Sequence, residues 1–381
     1  MKSLNYKPLL LTFLRYSELY LHDNKAGYKH NNSVLLHLKY SITYKMDNIN
    51  IKKLAKELKI STSTISRAFN GSPDINKDTK EKILAFARQH NFLPNHYASN
   101  LRDKKSRTLA VIVPEIANDF FAQAINGIEE VARKKGFYIL LYRTDDVFEK
   151  EVSFVNYLNN GKVDGIIMSV SGEANDHNYL KQLEKKNVPV VFFDRVYEDI
   201  EAAKVTTNDY ESSFAATEHL LETGCRKIAY LVVNKSISIG KVRMQGYVDA
   251  LQKHDVAFDD ELVIDCSNDE KVNYSILKKV LQEIKPDGIF SSVERLAFAT
   301  YYVCNDLGVD IPGDLKIISF SSLGIAPLLC PALSTITQPA YEMGIKAASL
   351  LFDELEKNGS PVNKKVHELK SKLFIRKSSG G

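Results

Sequence analysis

NINIKKLAKELKISTSTISRAFNGSPDINKDTKEKILAFARQHNFLPN, Asn48 to Asn95, reads as three short helices with a tight turn between the first two. In the first, Ile51, Leu54, Ala55 and Leu58 fall at i, i+3, i+4 and i+7, one apolar stripe, and Asn50 stands where an N-cap belongs. Lys59-Ile60 makes the turn. Ser61 caps a second helix that buries Ile65, Ala68 and Phe69 and turns Thr62, Ser63, Ser66 and Arg67 outward. Asn70-Gly71-Ser72-Pro73 breaks the chain, and a third helix capped by Asn76 buries Ile83, Leu84, Phe86 and Ala87. A tight turn leading into a helix with an exposed polar face is the shape of a helix-turn-helix, whose second helix enters the DNA major groove. The competing reading of the same three helices is a plain packing module, and the residues behind them decide between the two.

LAKELKISTSTISRAFNG (Leu54–Gly71), followed by a third helix and then FLPNHYASNLRDKKSRTLAVIVP (Phe92–Pro114), resembles the lactose-repressor/galactose-repressor (LacI/GalR) family of transcriptional regulators. The resemblance runs from about Met46 nearly to the C-terminus. It implies base-edge contacts by Thr62, Ser63 and Arg67. The chemistry agrees, since Arg can bond guanine O6 and N7 together and Thr offers a methyl and a hydroxyl. Asn50, Ser61, Ser66, Asn70 and Thr79 are then phosphate contacts, which set register and carry little sequence information. Lys59 is a departure, because the family often has glycine in this turn; a left-handed non-glycine residue is tolerated there at modest cost.

From Pro94, PNHYASNLRDKKS is the hinge. His96 to Leu101 is barely two turns long, so a helix there is marginal alone and forms only against DNA and a partner copy. In the family, paired hinge helices lie in the minor groove, and an apolar wedge is a known way to kink a duplex. The resemblance places Leu101 at the wedge, with Asn95, Ala98 and Arg102 beside it.

A chain of 381 residues suggests two or three domains of about 150 residues each. With 44% hydrophobic residues in alternating strand and helix patterns, it can bury sizeable α/β cores. Cys225, Cys266, Cys304 and Cys330 lie far apart with no C-x-x-C pair, which points to a reducing compartment and no structural zinc. No apolar run approaches the roughly 18 residues of a membrane span. The net charge of +4 hides an asymmetry: residues 1–45 carry +5, residues 46–106 carry +6, and the remainder is therefore −7. A basic end on an acidic body fits a polyanion-binding head attached to a sensor that avoids DNA, although charge runs also arise as solvated helix faces.

The expected domains are these. Residues 1–45 are a poorly ordered extension or an upstream stretch absent from the native protein; their short apolar segment, interrupted by Thr12, is no secretory signal. Residues 46–93 form the DNA-binding head, 94–106 the hinge and 107–381 an effector-binding and dimerisation domain. Within that domain TLAVIVP, FYILLYR, VDGIIMSV and VPVVFFD are buried-strand runs, and RKIAYLVV, LVIDCS, PDGIFSS and LKIISFS form a second set. Such strands alternating with helices mean doubly wound parallel sheets covered on both faces. Two sets suggest two lobes, as in the periplasmic sugar-binding-protein fold that the family shares. The first lobe is expected at 107–207 and 328–350, the second at 208–327 and 351–381.

Ligands of open α/β sheets sit at the carboxyl ends of the strands, here between the lobes. The resemblance places Asn118, Phe120 and Phe121 there, with a ring for a sugar face, followed by Asp194, Arg195, Asn208, Asp209 and Arg243. An Arg with carboxylates suits hydroxyls or an anionic group. Each has a bland alternative: Asp194 and Arg195 as a structural pair, Phe121 as core. Two departures bear on the ligand. Ser292-Val293-Glu294 stands where the family usually has Ala-Asn-Asp, and Ser321 replaces a ligand-gripping acid. Either the effector is more anionic, such as a sugar phosphate, or residues such as Glu294 grip it instead.

There is no G-x-S-x-G elbow, H-E-x-x-H pair or phosphate-binding glycine loop, so an enzyme reading rests only on the α/β layout. A solute-binding protein would carry a cleavable signal and no DNA head. A regulator with a degenerate sensor is the remaining alternative. The expectation is a cytoplasmic homodimer without cofactor or metal, binding a pseudo-palindromic double-stranded operator and controlled by a sugar or sugar-phosphate effector.

Overall fold

The computed structural model describes residues 50–69, 72–90, 92, 106–159, 161–172, 177–356 and 365–381. Expectations for residues 1–45, for Asn70, and for the hinge residues Asn95, Ala98, Leu101 and Arg102 lie outside the described residues. The chain falls into two compact units that divide after Asn95.

The first unit contains α1 (Ile51–Leu58), α2 (Thr62–Phe69) and α3 (Lys77–Gln89). Each contributes one fully buried residue, Leu54, Ile65 and Ile83, and Ile51, Leu58, Ile60, Phe69, Phe86 and Phe92 pack around them. Helices this short are unstable alone, so this shared core holds them. Their caps are those the sequence indicates. Asn50 accepts from the Lys53 amide at 2.9 Å, Ser61 from Thr64 at 3.1 Å, and Asn76 from Asp78 at 2.9 Å. Lys59 closes α1 with φ of 54°, left-handed, and its amide reaches the carbonyls of Ala55 and Lys56.

The second unit is built on two six-stranded sheets. In the first lobe, β1 (Thr108–Val113), β2 (Tyr138–Arg143), β3 (Gly165–Met168), β4 (Val190–Phe193), β5 (Ala203–Thr207) and β11 (Val366–Leu369) stand in the order β11-β5-β4-β3-β1-β2, all parallel. In the second lobe, β6 (Ile228–Val232), β7 (Val263–Asp265), β8 (Gly288–Ser291), β9 (Lys316–Phe320), β10 (Ser334–Thr337) and β12 (Lys372–Phe374) stand in the order β12-β10-β9-β8-β6-β7. Only β12 in that sheet is antiparallel. The helices α4 (Asp119–Lys134), α5 (Phe148–Leu158), α6 (Asn178–Lys185), α7 (Asp209–Glu222), α8 (Ser238–Lys253), α9 (Glu270–Lys279), α10 (Glu294–Leu307) and α11 (Ala340–Glu356) cover the sheets. Each lobe thus has one apolar cluster on either face of its sheet.

The chain crosses between lobes three times: from β5 to α7, from β10 to α11, and from β11 to β12. Two expected boundaries therefore move. Residues 328–337 stay in the second lobe because β10 pairs in parallel with β9. Residues 351–356 and 366–369 belong to the first, because α11 packs against α4 and β11 pairs with β5. α4 and α11 meet backbone to backbone: a Cβ on Gly344 would stand 2.0 Å from the Ala124 carbonyl, and one on Gly127 would stand 2.2 Å from that of Tyr341. FYILLYR also departs from a buried run. It forms the edge strand β2, where Tyr138 is 70% exposed and Leu140 and Leu141 are exposed beside it.

Candidate DNA-reading helix and effector cleft

In the first unit, burial of Ile65 and Ala68 against α1 and α3 fixes which face of α2 points out. Thr62, Ser63 and Arg67 are exposed, and Ser66 is half-buried. The Ser61 hydroxyl is 2.7 Å from that of Ser63 and 2.8 Å from that of Thr64, so it serves the cap and stays exposed. Asn50 is exposed, and Thr79 lies half-buried in the first turn of α3. Arg67 donates to Asp74 at 2.6 Å. Asp74 in turn accepts from Ser72 at 2.5 Å, and that bond, ahead of the Arg67 charge, holds its carboxyl below the usual range. Asp74 was not apparent as a partner from the sequence, since it lies beyond the Asn70–Pro73 break.

In the second unit, several effector candidates come together where strands of both lobes end. Asp209 opens α7 just after the first crossing, and Arg243 sits one turn inside α8. Arg243 Nε donates to Asp209 at 2.7 Å, Nη1 donates to the Ser292 carbonyl at 2.8 Å, and the guanidinium lies 3.6 Å over the Phe320 ring. Both side chains are about 95% buried, at 4% and 5% exposure. Arg243 Nη2 is buried with no hydrogen-bond partner among the described residues. A buried ion pair with one donor left over can accept a ligand oxygen without breaking its own pairing.

A continuous buried polar chain links this pair to the first lobe. Thr207 donates to Asp209 at 3.0 Å, and Gln338, on the second crossing, donates to Thr207 at 3.0 Å. Gln338 also bonds Asp194, which accepts from Ser169 at 3.4 Å. Asp194 ends β4 with φ of 60°, a left-handed conformation that Asp tolerates better than most residues and that collects at functional sites. Burial pushes its carboxyl above the ordinary range, and the charges of Arg195 and then Arg243 pull it part of the way back. Arg195 pairs with Asp146, itself left-handed, and its Nε lies 3.9 Å from Asp194. Asn208 holds the third crossing, accepting from the Ser371 amide at 2.7 Å.

At the other side of the opening, Glu294 begins α10 and accepts from Ser321 at 2.9 Å and from the Asp119 backbone amide across the lobes. Burial raises its carboxyl, against the pull of the Ser321 bond. Gln123 donates to the Ser322 carbonyl at 3.0 Å, and Arg295 pairs with Glu115 at 3.5 Å, both between lobes. The aromatic expectation fares differently. Phe120 and Phe121 are 8% and 5% exposed, belong to the first-lobe core, and meet edge to face at 5.1 Å. Asn118 caps α4, accepting from Phe120 at 3.0 Å. Asp146, Ser169, Thr207 and Gln338 carry no periodic signal, and only the fold reveals them.

Among the described residues there is no group of three or more His, Cys, Asp or Glu able to hold a metal ion, and no helix long and apolar enough to cross a membrane. Residues 50–95 match the family described as "Bacterial regulatory proteins, lacI family", and residues 106–372 match "Periplasmic binding proteins and sugar binding domain of LacI family". The chain is 31% identical over 335 residues to the ribose operon repressor of Halalkalibacterium halodurans, covering 87% of this chain and 97% of that protein. It is 28% identical over 335 residues to catabolite control protein A of Priestia megaterium, covering 87% and 99%. Among solved structures, a LacI family transcriptional regulator from Enterococcus faecium with bound ribose is similar at a TM-score of 0.64 and 26% identity, covering 71% of this chain and 98% of that one.

Proposed function

This chain belongs to the lacI family of bacterial regulatory proteins, and from that premise we propose how its two units work as one regulator. It is a transcriptional regulator and not an enzyme: a helix-turn-helix DNA-binding head precedes a two-lobed sugar-binding domain. In the proposed cycle a homodimer represses by binding a pseudo-palindromic operator in the cytoplasm, each head reading one half-site with Thr62, Ser63 and Arg67. Asn50, Ser61, Ser66, Asn70 and Thr79 take phosphates, and the segment around Leu101 meets its copy at the operator centre.

The effector sits between the lobes against Asp194, Arg195, Asp209, Arg243, Glu294 and Ser321. It acts by favouring one angle between the lobes, and only to the extent that it binds one state better than the other. The observation that carries this reading is the buried chain from Ser169 through Asp194, Gln338, Thr207 and Asp209 to Arg243, because it ties both lobes and two crossings to a single site. A second copy of the chain is the proposed cover for the exposed edge strand β2 and for Val272, Tyr302, Ile325 and Leu328 on the second lobe. An uncovered apolar edge invites unwanted pairing.

The test is selection of bound sequences from random DNA by the full chain at fixed salt. A two-fold symmetric site with a fixed centre supports the reading. A folded dimer that enriches nothing, with and without sugars, rejects it.

A further inference from the structure

Resting on that reading of the cleft as the effector site, we propose that Asp146 is a positioning residue that couples closure of the lobes to the aim of Arg195. Its two carboxylate oxygens are divided between the lobes. Oδ1 accepts from Arg195 Nη1 in the first lobe, and Oδ2 accepts from Asn268 Nδ2 of the second lobe at 3.2 Å. The side chains of Arg195 and Asp146 are 11% and 21% exposed, so little solvent screens the pair. A guanidinium is a planar, rigid fork, and the bond at Nη1 therefore also sets the direction of Nε–H. Arg195 Nε is buried without a hydrogen-bond partner among the described residues, and Asp194 stands 3.9 Å away, beyond hydrogen-bond reach. Whatever moves Asp146 re-aims a donor that is open to a ligand.

Both backbones that carry this contact are pinned. On the first lobe, Asp145 and Asp146 follow β2 with φ of 57° and 59°, consecutive left-handed residues that persist only where their surroundings hold them. The amides of Thr144 and Asp145 donate to the carbonyls of Val113 and Pro114 at 2.9 and 3.0 Å. Asp145 pairs with the surface cations Arg143 and Lys150, which leaves Asp146 to Arg195. On the second lobe, Asn268 stands in the turn between β7 and α9. Buried Asn273 closes that turn, accepting from the Ser267 amide at 2.7 Å and donating to the Ser267 carbonyl at 2.8 Å. Asp269 caps α9 through the Lys271 amide at 2.8 Å. A change of lobe angle therefore falls on the bond between Asp146 and Asn268 rather than on either turn. The backbone beside Arg195 is bridged too: the Val196 amide donates to Ser238 Oγ at 3.2 Å, at the start of the helix α8 that carries Arg243. With the lobes together, Asn268 fixes the carboxylate that aims Arg195; with the lobes apart, one oxygen of Asp146 returns to water and that aim is lost. Coupling is reciprocal, so a ligand held by Arg195 Nε favours closure in turn.

The test uses the full chain with isotope-labelled arginine, the Arg195 Nε–H resonance being assigned by its loss in Arg195→Lys. Asn268→Ala trims an exposed side chain of the second lobe. It should move the Arg195 resonance and speed its exchange with solvent, while the Arg226 resonance and the melting temperature stay unchanged. In calorimetry with D-ribose, D-glucose and cellobiose, it should weaken whichever of these the parent binds by at least about 5-fold. Asn268→Asp, which sets a second carboxylate against Asp146, should do both more strongly. An Arg195 resonance unmoved in both variants overturns the coupling and leaves the effector site standing, as does a moved resonance with unchanged sugar affinity. A sugar that binds equally to the parent chain and to Arg243→Ala lies outside this cleft and overturns the effector reading itself, as does the absence of binding by all three sugars.

Discussion

Asp209→Ala tests the centre of the cleft most directly. The substitution removes the carboxylate to which Arg243 Nε donates, in a place where the arginine side chain is 4% exposed. The guanidinium keeps the Ser292 carbonyl and the Phe320 ring but becomes a buried cation without a counter-charge. Breaking such a pair costs about 3–5 kcal/mol, most of it the desolvation of the charge left behind. At roughly 2–4 °C per kcal/mol for a domain of this size, the melting temperature of the second unit should fall by roughly 6–20 °C. Urea unfolding of the full chain and scanning calorimetry would measure it. The companion variant Asp209→Leu/Arg243→Met replaces both ions by apolar groups, and it should recover most of the lost stability. Effector response should not recover, because the donor and acceptor are gone. A single variant that loses less than about 1 kcal/mol, or a double variant as unstable as the single one, would refute the idea that an uncompensated buried charge is the dominant cost.

Arg67→Ala should weaken binding to the selected operator by about 1–3 kcal/mol and relax preference at one base pair; equal weakening on random DNA would remove it from base reading. Gly344→Ala forces a methyl to within 2.0 Å of the Ala124 carbonyl and should destabilise the first lobe by about 1–3 kcal/mol or more, with a melt of unchanged stability as the disproof. For Asp194, whose folded carboxyl is raised by burial, stability present below the ordinary carboxylate range is lost as pH rises through the folded value. Asp194→Asn should therefore gain stability relative to the parent at neutral pH and less so near pH 4, a difference that denaturant midpoints across pH would show or deny. Lys59→Gly, at φ of 54°, relieves a left-handed cost of about 1–2 kcal/mol against a glycine penalty of about 0.5–1 kcal/mol, so a small net stabilisation of the head is expected by urea melts.

What this sequence determined by itself is local. Apolar spacing at Ile51, Leu54, Ala55 and Leu58, caps at Asn50, Ser61 and Asn76, and the apolar runs at β1, β3, β4, β6, β8 and β9 were legible because helix period, cap chemistry and strand burial act over a few residues. Arg243 was placed at the cleft by the family resemblance and Asp209 by its position at the lobe crossover, yet their pairing across 34 positions could not be read. The tertiary structure alone decided what depends on partners distant in sequence. It put the half-exposed VHEL strand of β11 beside β5, set FYILLYR at an open edge, drew Phe120 and Phe121 into the core, and bridged two crossings through Gln338. Strand order, burial and buried hydrogen bonding are properties of neighbours that the chain brings together only when folded. A strand of period two looks the same at an edge or in the middle, and a glutamine looks the same on a surface or at a hinge.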